Sequence, residues 1–207
     1  MWRGLTASLK QMEVYGRPAT ISRREAVNQD SERQLVSRFR NGDREAFSAI
    51  YKAYHGSVFR FALYLTGDRE RSGEVTQETF VWLLHHPLTF DPERGDLAAF
   101  LGGVARQMIR RQRREEQRWL PWTDSAAGVS PPPEIAENEE AAELWKAVAS
   151  LPERYREAVI LCDLEEMSGE QAATALGCAV GTIWSRLHRA HELLQRKLQG
   201  RKVRCSL

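Results

Sequence analysis

Residues 120–139, LPWTDSAAGVSPPPEIAENE, divide the chain. Three consecutive prolines, Pro131, Pro132 and Pro133, lock φ and remove backbone donors. The stretch holds no lysine or arginine and no hydrophobic period. No helix or strand is expected to run through it, so it reads as a linker. A chain of 207 residues cut in this way must bury its apolar side chains in two small modules.

Both modules carry helical periodicity, and sustained period-two alternation is absent. Leu35, Val36 and Phe39 precede a turn at Asn41-Gly42, and Phe47, Ile50, Tyr51 and Tyr54 follow it. Val58, Phe61, Ala62 and Leu65 continue to a second break at Thr66-Gly67-Asp68. The spacing then predicts a helix over 69–85, with Val75, Thr79, Trp82 and Leu83 on one face and Pro87 as its stop. Asp96 is placed to cap a further helix through Leu97, Phe100, Leu101, Val104 and Met108. Arg106, Arg110 and Arg113 recur on one side of its far end, at spacings of four and three. In the second module, Leu144, Trp145, Val148 and Leu151 form one helical stripe, and Tyr155, Ala158, Val159, Leu161 and Cys162 another. The expected fold class is all-α, with two small helical domains: a three- to four-helix bundle and a C-terminal helix-turn-helix domain. The expected boundaries are an extension without clear period over 1–30, a first domain over 31–118, a linker over 119–139, a second domain over 140–199 and a basic tail over 200–207.

Charge is distributed in blocks behind a formal net charge of only +2. From Arg106 to Arg118 there are six arginines and two glutamates; from Val180 to Arg204 there are seven lysines and arginines and one glutamate. An acidic segment separates them, which suggests two anion-facing surfaces on two modules. The three cysteines, Cys162, Cys178 and Cys205, lack CxxC spacing and read as free thiols of a reducing compartment. No apolar run of transmembrane length and no signal-peptide core is found, so a cytoplasmic protein without membrane insertion is expected.

SGEQAATALGCAVGTIWSRLHRAHELL carries the most specific local signal. Ser168 and Gln171 have capping-box spacing, Gly177 closes the short helix, and a longer helix follows. On a helical wheel Val180, Ile183, Leu187, Ala190 and Leu194 share one side, and Thr182, Ser185, Arg189 and Glu192 face away. A hydroxyl and an arginine on the outward face suit a major groove, where Arg189 and Ser185 can bond bases or phosphates. Trp184 falls at the edge of the apolar face. It is placed either to pack on the preceding helix or to meet DNA.

The stretch LPERYREAVILCDLEEMSGEQAATALGCAVGTIWSRLHRAHELL resembles region four of bacterial extracytoplasmic-function (ECF) sigma factors. NGDREAFSAIYKAYHGSVFRFALYLTGDRERSGEVTQETFVWLL, with QETF at 77–80, resembles their region two, and FDPERGDLAAFLGGVARQMIRRQRR its end. The resemblance implies an RNA polymerase sigma factor that recognises −35 and −10 promoter elements and helps open DNA. Glu74, Gln77, Glu78 and Trp82 would dock on the polymerase clamp coiled coil, with the flap as a further contact. Leu88 and Phe90, in the loop over 88–93, would line a pocket for a flipped −10 base. Arg106, Gln107, Arg110, Arg113 and Arg114 would hold the non-template strand. Thr182, Trp184, Ser185, Arg186, His188 and Arg189 would meet the −35 duplex. An anti-sigma factor is an expected partner. No cofactor and no metal are expected. The chain departs from the family pattern at Ser72-Gly73, at Gly103 (often basic in the family), at Gln107 (commonly asparagine) and at Trp184 (commonly lysine or arginine).

A stand-alone helix-turn-helix regulator is the competing reading. It leaves QETF and the Arg106–Arg114 block without a role. An enzyme is not expected, because no HExxH, phosphate loop or nucleophile elbow is present. His85-His86 reads as a helix-end feature.

Overall fold

The computed structural model describes residues 29–93, 95–119 and 139–202. The expected extension, linker and tail fall outside them except at their edges, where Gln29, Trp119, Glu139 and Lys202 belong to helices. Every regular element among the described residues is helical. The first module holds α1 (Gln29–Arg40), α2 (Arg44–Thr66), α3 (Arg69–His85) and α4 (Leu97–Trp119). The second holds α5 (Glu139–Ala149), α6 (Glu153–Val159) with a π-turn at Ile160–Leu164, α7 (Gly169–Leu176) and α8 (Val180–Lys202).

The helix ends follow from local chemistry. Asp43 accepts from the backbone N–H groups of Glu45 and Ala46 and starts α2. Gly67, at φ 69°, ends it in the left-handed conformation that glycine adopts without a Cβ clash. Asp68 caps α3 through the Arg71 N–H, and Asp96 caps α4 through the Ala99 N–H at 3.0 Å. His86 closes α3: its Nδ1 lies 2.8 Å from the Trp82 carbonyl and its ring stacks on the indole. Ser168 and Gln171 form the reciprocal capping box, with N···O distances of 3.2 and 2.8 Å. Gly177, at φ 63°, turns the chain into α8.

The two modules share one hydrophobic core. Ile50, Leu65, Leu83, Leu97, Leu101 and Ile109 are fully buried in the first, and Trp145, Ile160 and Leu161 in the second. Each such side chain contributes about 1.5–3 kcal/mol. Trp145 meets Tyr64 of α2 across the boundary, with ring centroids 5.4 Å apart. The π-turn widens α6, and the Glu165 N–H donates to the Ile160 carbonyl at 2.8 Å. That extra residue turns Glu165 inward against the first module. Periodicity alone does not disclose it.

Candidate nucleic-acid interface

The helix-turn-helix is built from α7 and α8. Ala172, Ala173 and Leu176 of α7 and Ile183, Leu187, Ala190 and Leu194 of α8 are buried in one core, and the two helices pack on each other. This fixes α8 with Ser185, His188 and Arg189 in water and with Thr182 and Arg186 half-buried. The Ser185 hydroxyl donates to the Thr182 carbonyl within its own helix. The Arg189 guanidinium lies 2.7 Å from Glu192, and His188 lies 3.5 Å from the same carboxylate. The Arg189 hydrogen bond holds the Glu192 carboxyl below its usual pKa. Arg186 reaches back toward the Cys178 sulfur. His191, on the flank, meets Asp163 at 2.6 Å.

Trp184 is 56% exposed, yet one edge of its indole lies on α7. A Cβ added at Gly169 would be 2.6 Å from Trp184 Cζ2. Only glycine therefore lets the ring lie there. The indole meets the first turn of α7 at Gly169, and more than half of the residue stays in water. Of the two sequence readings of this residue, packing on the preceding helix is met.

On the first module, Glu74, Gln77 and Glu78 stand exposed along α3. Trp82 is half-buried, held between His86 and Phe100. Tyr51, Val81 and Leu84 are exposed apolar groups beside this face. They border an open groove of about 420 Å³ between α2 and α3, lined also by Phe47, Phe59, Gln77 and Phe80. Sequence reading missed this groove, because Tyr51 and Val81 fit a core stripe as well as a surface one.

The residues expected at the −10 element divide. Leu88 is 75% exposed at the loop tip. Phe90 is 3% exposed and packs on Phe100, so its ring is not presented to a base; this corrects its expected place in the −10 pocket. On α4, Gln107 and Arg114 face solvent. Arg106, Arg110 and Arg113 face the second module. Arg106 makes a two-pronged pair with Glu157 at 2.5 and 3.0 Å and donates to the Leu176 carbonyl at 3.3 Å. Arg110 and Arg113 reach Glu153 at 3.5 and 3.1 Å. Arg113 also donates to the Leu65 carbonyl. Glu157 is 1% exposed in side-chain terms, and sequence reading gave it no role.

Comparison with known proteins places both modules. The sigma-70 region 2 family matches residues 50–119, and the sigma-70 region 4 family matches residues 141–194. The ECF RNA polymerase sigma factor SigE of Mycolicibacterium smegmatis is 31% identical over 162 residues, which are 74% of this chain and 63% of that protein. The ECF RNA polymerase sigma factor EcfG of Rhodopseudomonas palustris is 34% identical over 140 residues, 67% of this chain and 77% of that protein. Among solved structures, the sigma factor RpoE of Bartonella quintana, in complex with the anti-sigma factor NepR, superposes with a TM-score of 0.62 at 26% identity, covering 74% of this chain and 96% of that one.

Proposed function

The chain belongs to the extracytoplasmic-function sigma factors, and from this premise we propose that it binds core RNA polymerase, places α8 on a −35 duplex and α4 on a −10 strand, and so starts transcription at a defined promoter set. The single observation that best supports the reading is that both sigma regions occur in one chain, each on its own helical module. A stand-alone regulator would need only the second.

The division of labour follows from the exposed groups. Glu74, Gln77 and Glu78, beside the apolar groove, form the surface for the polymerase clamp. An acidic rim around exposed apolar side chains supplies both steering and burial. Ser185, Arg189 and Trp184 form the −35 face, and Arg186 and His188 flank it. Leu88, Gln107 and Arg114 form the part of the −10 face that is open in this arrangement. The domains are proposed as 31–118 and 140–199, joined over 119–139. No helix among the described residues is long and apolar enough to cross a membrane. That fits the proposed site of action on the bacterial nucleoid. An anti-sigma factor is proposed as a further partner, as RpoE of Bartonella quintana has in NepR.

Co-purification tests the reading. Tagged chain mixed with core polymerase at moderate salt is expected to elute as a stoichiometric complex. A chain that binds a specific duplex and never core polymerase would support the stand-alone regulator instead.

A further inference from the structure

Among the described residues, the second module leaves two large apolar side chains in water, Val180 at 38% exposed and Trp184 at 56%. They are the first and fifth residues of α8. Side chains four apart on a helix are neighbours, so the two form one apolar strip at its N-terminal end. Gly181 is exposed beside the strip, and a Cβ added there would meet nothing within 4 Å. The helix is therefore bare next to the strip and can be approached closely. Ser185 and Arg189 continue the exposed surface.

The surroundings restrict what can cover this strip. Six lysines and arginines and one glutamate lie over 180–202, so the helix attracts a polyanion. In a helix-turn-helix, the N-terminal residues of the second helix are the ones set against base edges. The major groove offers donors and acceptors from every base pair, and one carbon group standing clear of them, the 5-methyl of thymine. Val180 has no donor to give a phosphate or a purine edge. The indole lacks the fork with which an arginine takes guanine or phosphate. The apolar strip is matched by methyl.

We propose that Trp184, with Val180 beside it, selects a thymine through its 5-methyl group in the duplex that α8 meets, and that Gly169 positions the ring for this. The role rests on the −35 reading of α8. Cζ2, Cε2 and Cη2 of the indole lie 2.6, 3.0 and 3.3 Å from where a Cβ of residue 169 would stand. That turn of α7 is itself held by the capping box of Ser168 and Gln171. A ring held before binding loses less rotamer freedom on the DNA. One base pair is then chosen by apolar contact, next to those within reach of Ser185 and Arg189.

Removal of single methyl groups tests the role without altering the protein. The full chain selects its preferred sequence from a random duplex library, and a fluorescein-labelled copy of that duplex is titrated by anisotropy. Each thymine is then replaced in turn by uracil, which removes the methyl and keeps every hydrogen-bonding group. One replacement is expected to weaken binding about fourfold, the ratio that corresponds to burial of one carbon group. The same replacement should leave the affinity of Trp184→Ala unchanged and have a reduced effect on Gly169→Ala. Selection repeated with Trp184→Arg should exchange that thymine for another base. The proposal is overturned if the parent is indifferent to every uracil replacement. It is overturned equally if the methyl effect is as large in Trp184→Ala, which would assign the methyl to another side chain. A Gly169→Ala protein that keeps the full methyl effect removes the positioning role of Gly169. A chain that selects no duplex sinks the −35 reading together with the proposal, whereas a selected duplex whose methyl groups are silent sinks the proposal alone.

Discussion

The indole of Trp184 lies against the backbone of Gly169, close enough that a methyl group there would be 2.6 Å from the ring. This contact makes the two helices of the helix-turn-helix share one exposed aromatic surface. More than half of the indole remains in water, so Trp184→Ala is expected to cost less than about 1.5 kcal/mol of stability. It should weaken −35 duplex binding about tenfold or more, near 1.4 kcal/mol. Gly169→Ala should weaken the same binding by displacing the ring. Urea melts and fluorescence anisotropy on both variants check this. A large loss of stability with unchanged DNA affinity would assign Trp184 to packing alone.

Arg189 is tethered by Glu192 on the open face of α8. Arg189→Ala should weaken duplex binding by about 1–3 kcal/mol and relax specificity at one base pair. Glu192→Gln should do the opposite, tightening binding by freeing the guanidinium. Because Arg189 lowers the Glu192 pKa, the tether persists at neutral pH and is lost only as pH falls through that lowered value. Affinities of both variants across a salt series decide; a Glu192→Gln protein that binds no tighter than the parent would contradict the tether.

Glu74→Lys combined with Glu78→Lys reverses the exposed rim of α3. Core-polymerase affinity should fall about tenfold or more, and far more at low salt than at high, as for a rim charge. Duplex binding by α8 should not change. Sedimentation of the variant with core polymerase and its anisotropy on DNA give the two readouts.

Cys162 is half-buried beside Asp163, and burial, with that carboxylate, pushes its thiol from 9.0 up to about 12. The thiolate is the reactive form, so iodoacetamide at pH 8 should leave Cys162 unmodified in the folded chain and modify it in urea. The folded state holds this proton more tightly than the unfolded one. Its contribution to stability is therefore complete below pH 9 and declines as pH rises toward 12. Rapid labelling of folded Cys162, read by mass spectrometry, would contradict this.

Trp145 lies fully buried where α5 meets α2. Trp145→Ala should cost about 3–5 kcal/mol. Guanidinium melts check it; a loss below 1 kcal/mol would mean that the site is not core.

Much of this fold is written locally. Asp96, Ser168 with Gln171 and Gly177 are short-range signals, and each became the cap that its spacing implied; Gly67 lies in the break expected after α2. The apolar face of α8 was legible for the same reason, since Ile183, Leu187, Ala190 and Leu194 recur at helical intervals. What was not legible depends on distant partners. Arg106 and Glu157 are 51 positions apart, and nothing in either neighbourhood marks the other. Phe90 was expected to line a −10 pocket from the loop over 88–93, and its burial is decided by Phe100. Gly103 stood out only as a departure from the family pattern, and Ala175 of another helix lies against it. The open groove beside Tyr51 and Val81 was hidden because periodicity shows which side of a helix is apolar, and not whether a neighbour covers it.

Promoter-specific initiation is open to direct test. The most direct measurement is in vitro transcription of a fragment library from the source genome by core polymerase with and without the purified chain, with the 5′ ends sequenced. A discrete set of start sites that depend on the chain and share one upstream −35/−10 pair is expected. Transcripts whose start sites are the same with and without the chain would contradict it.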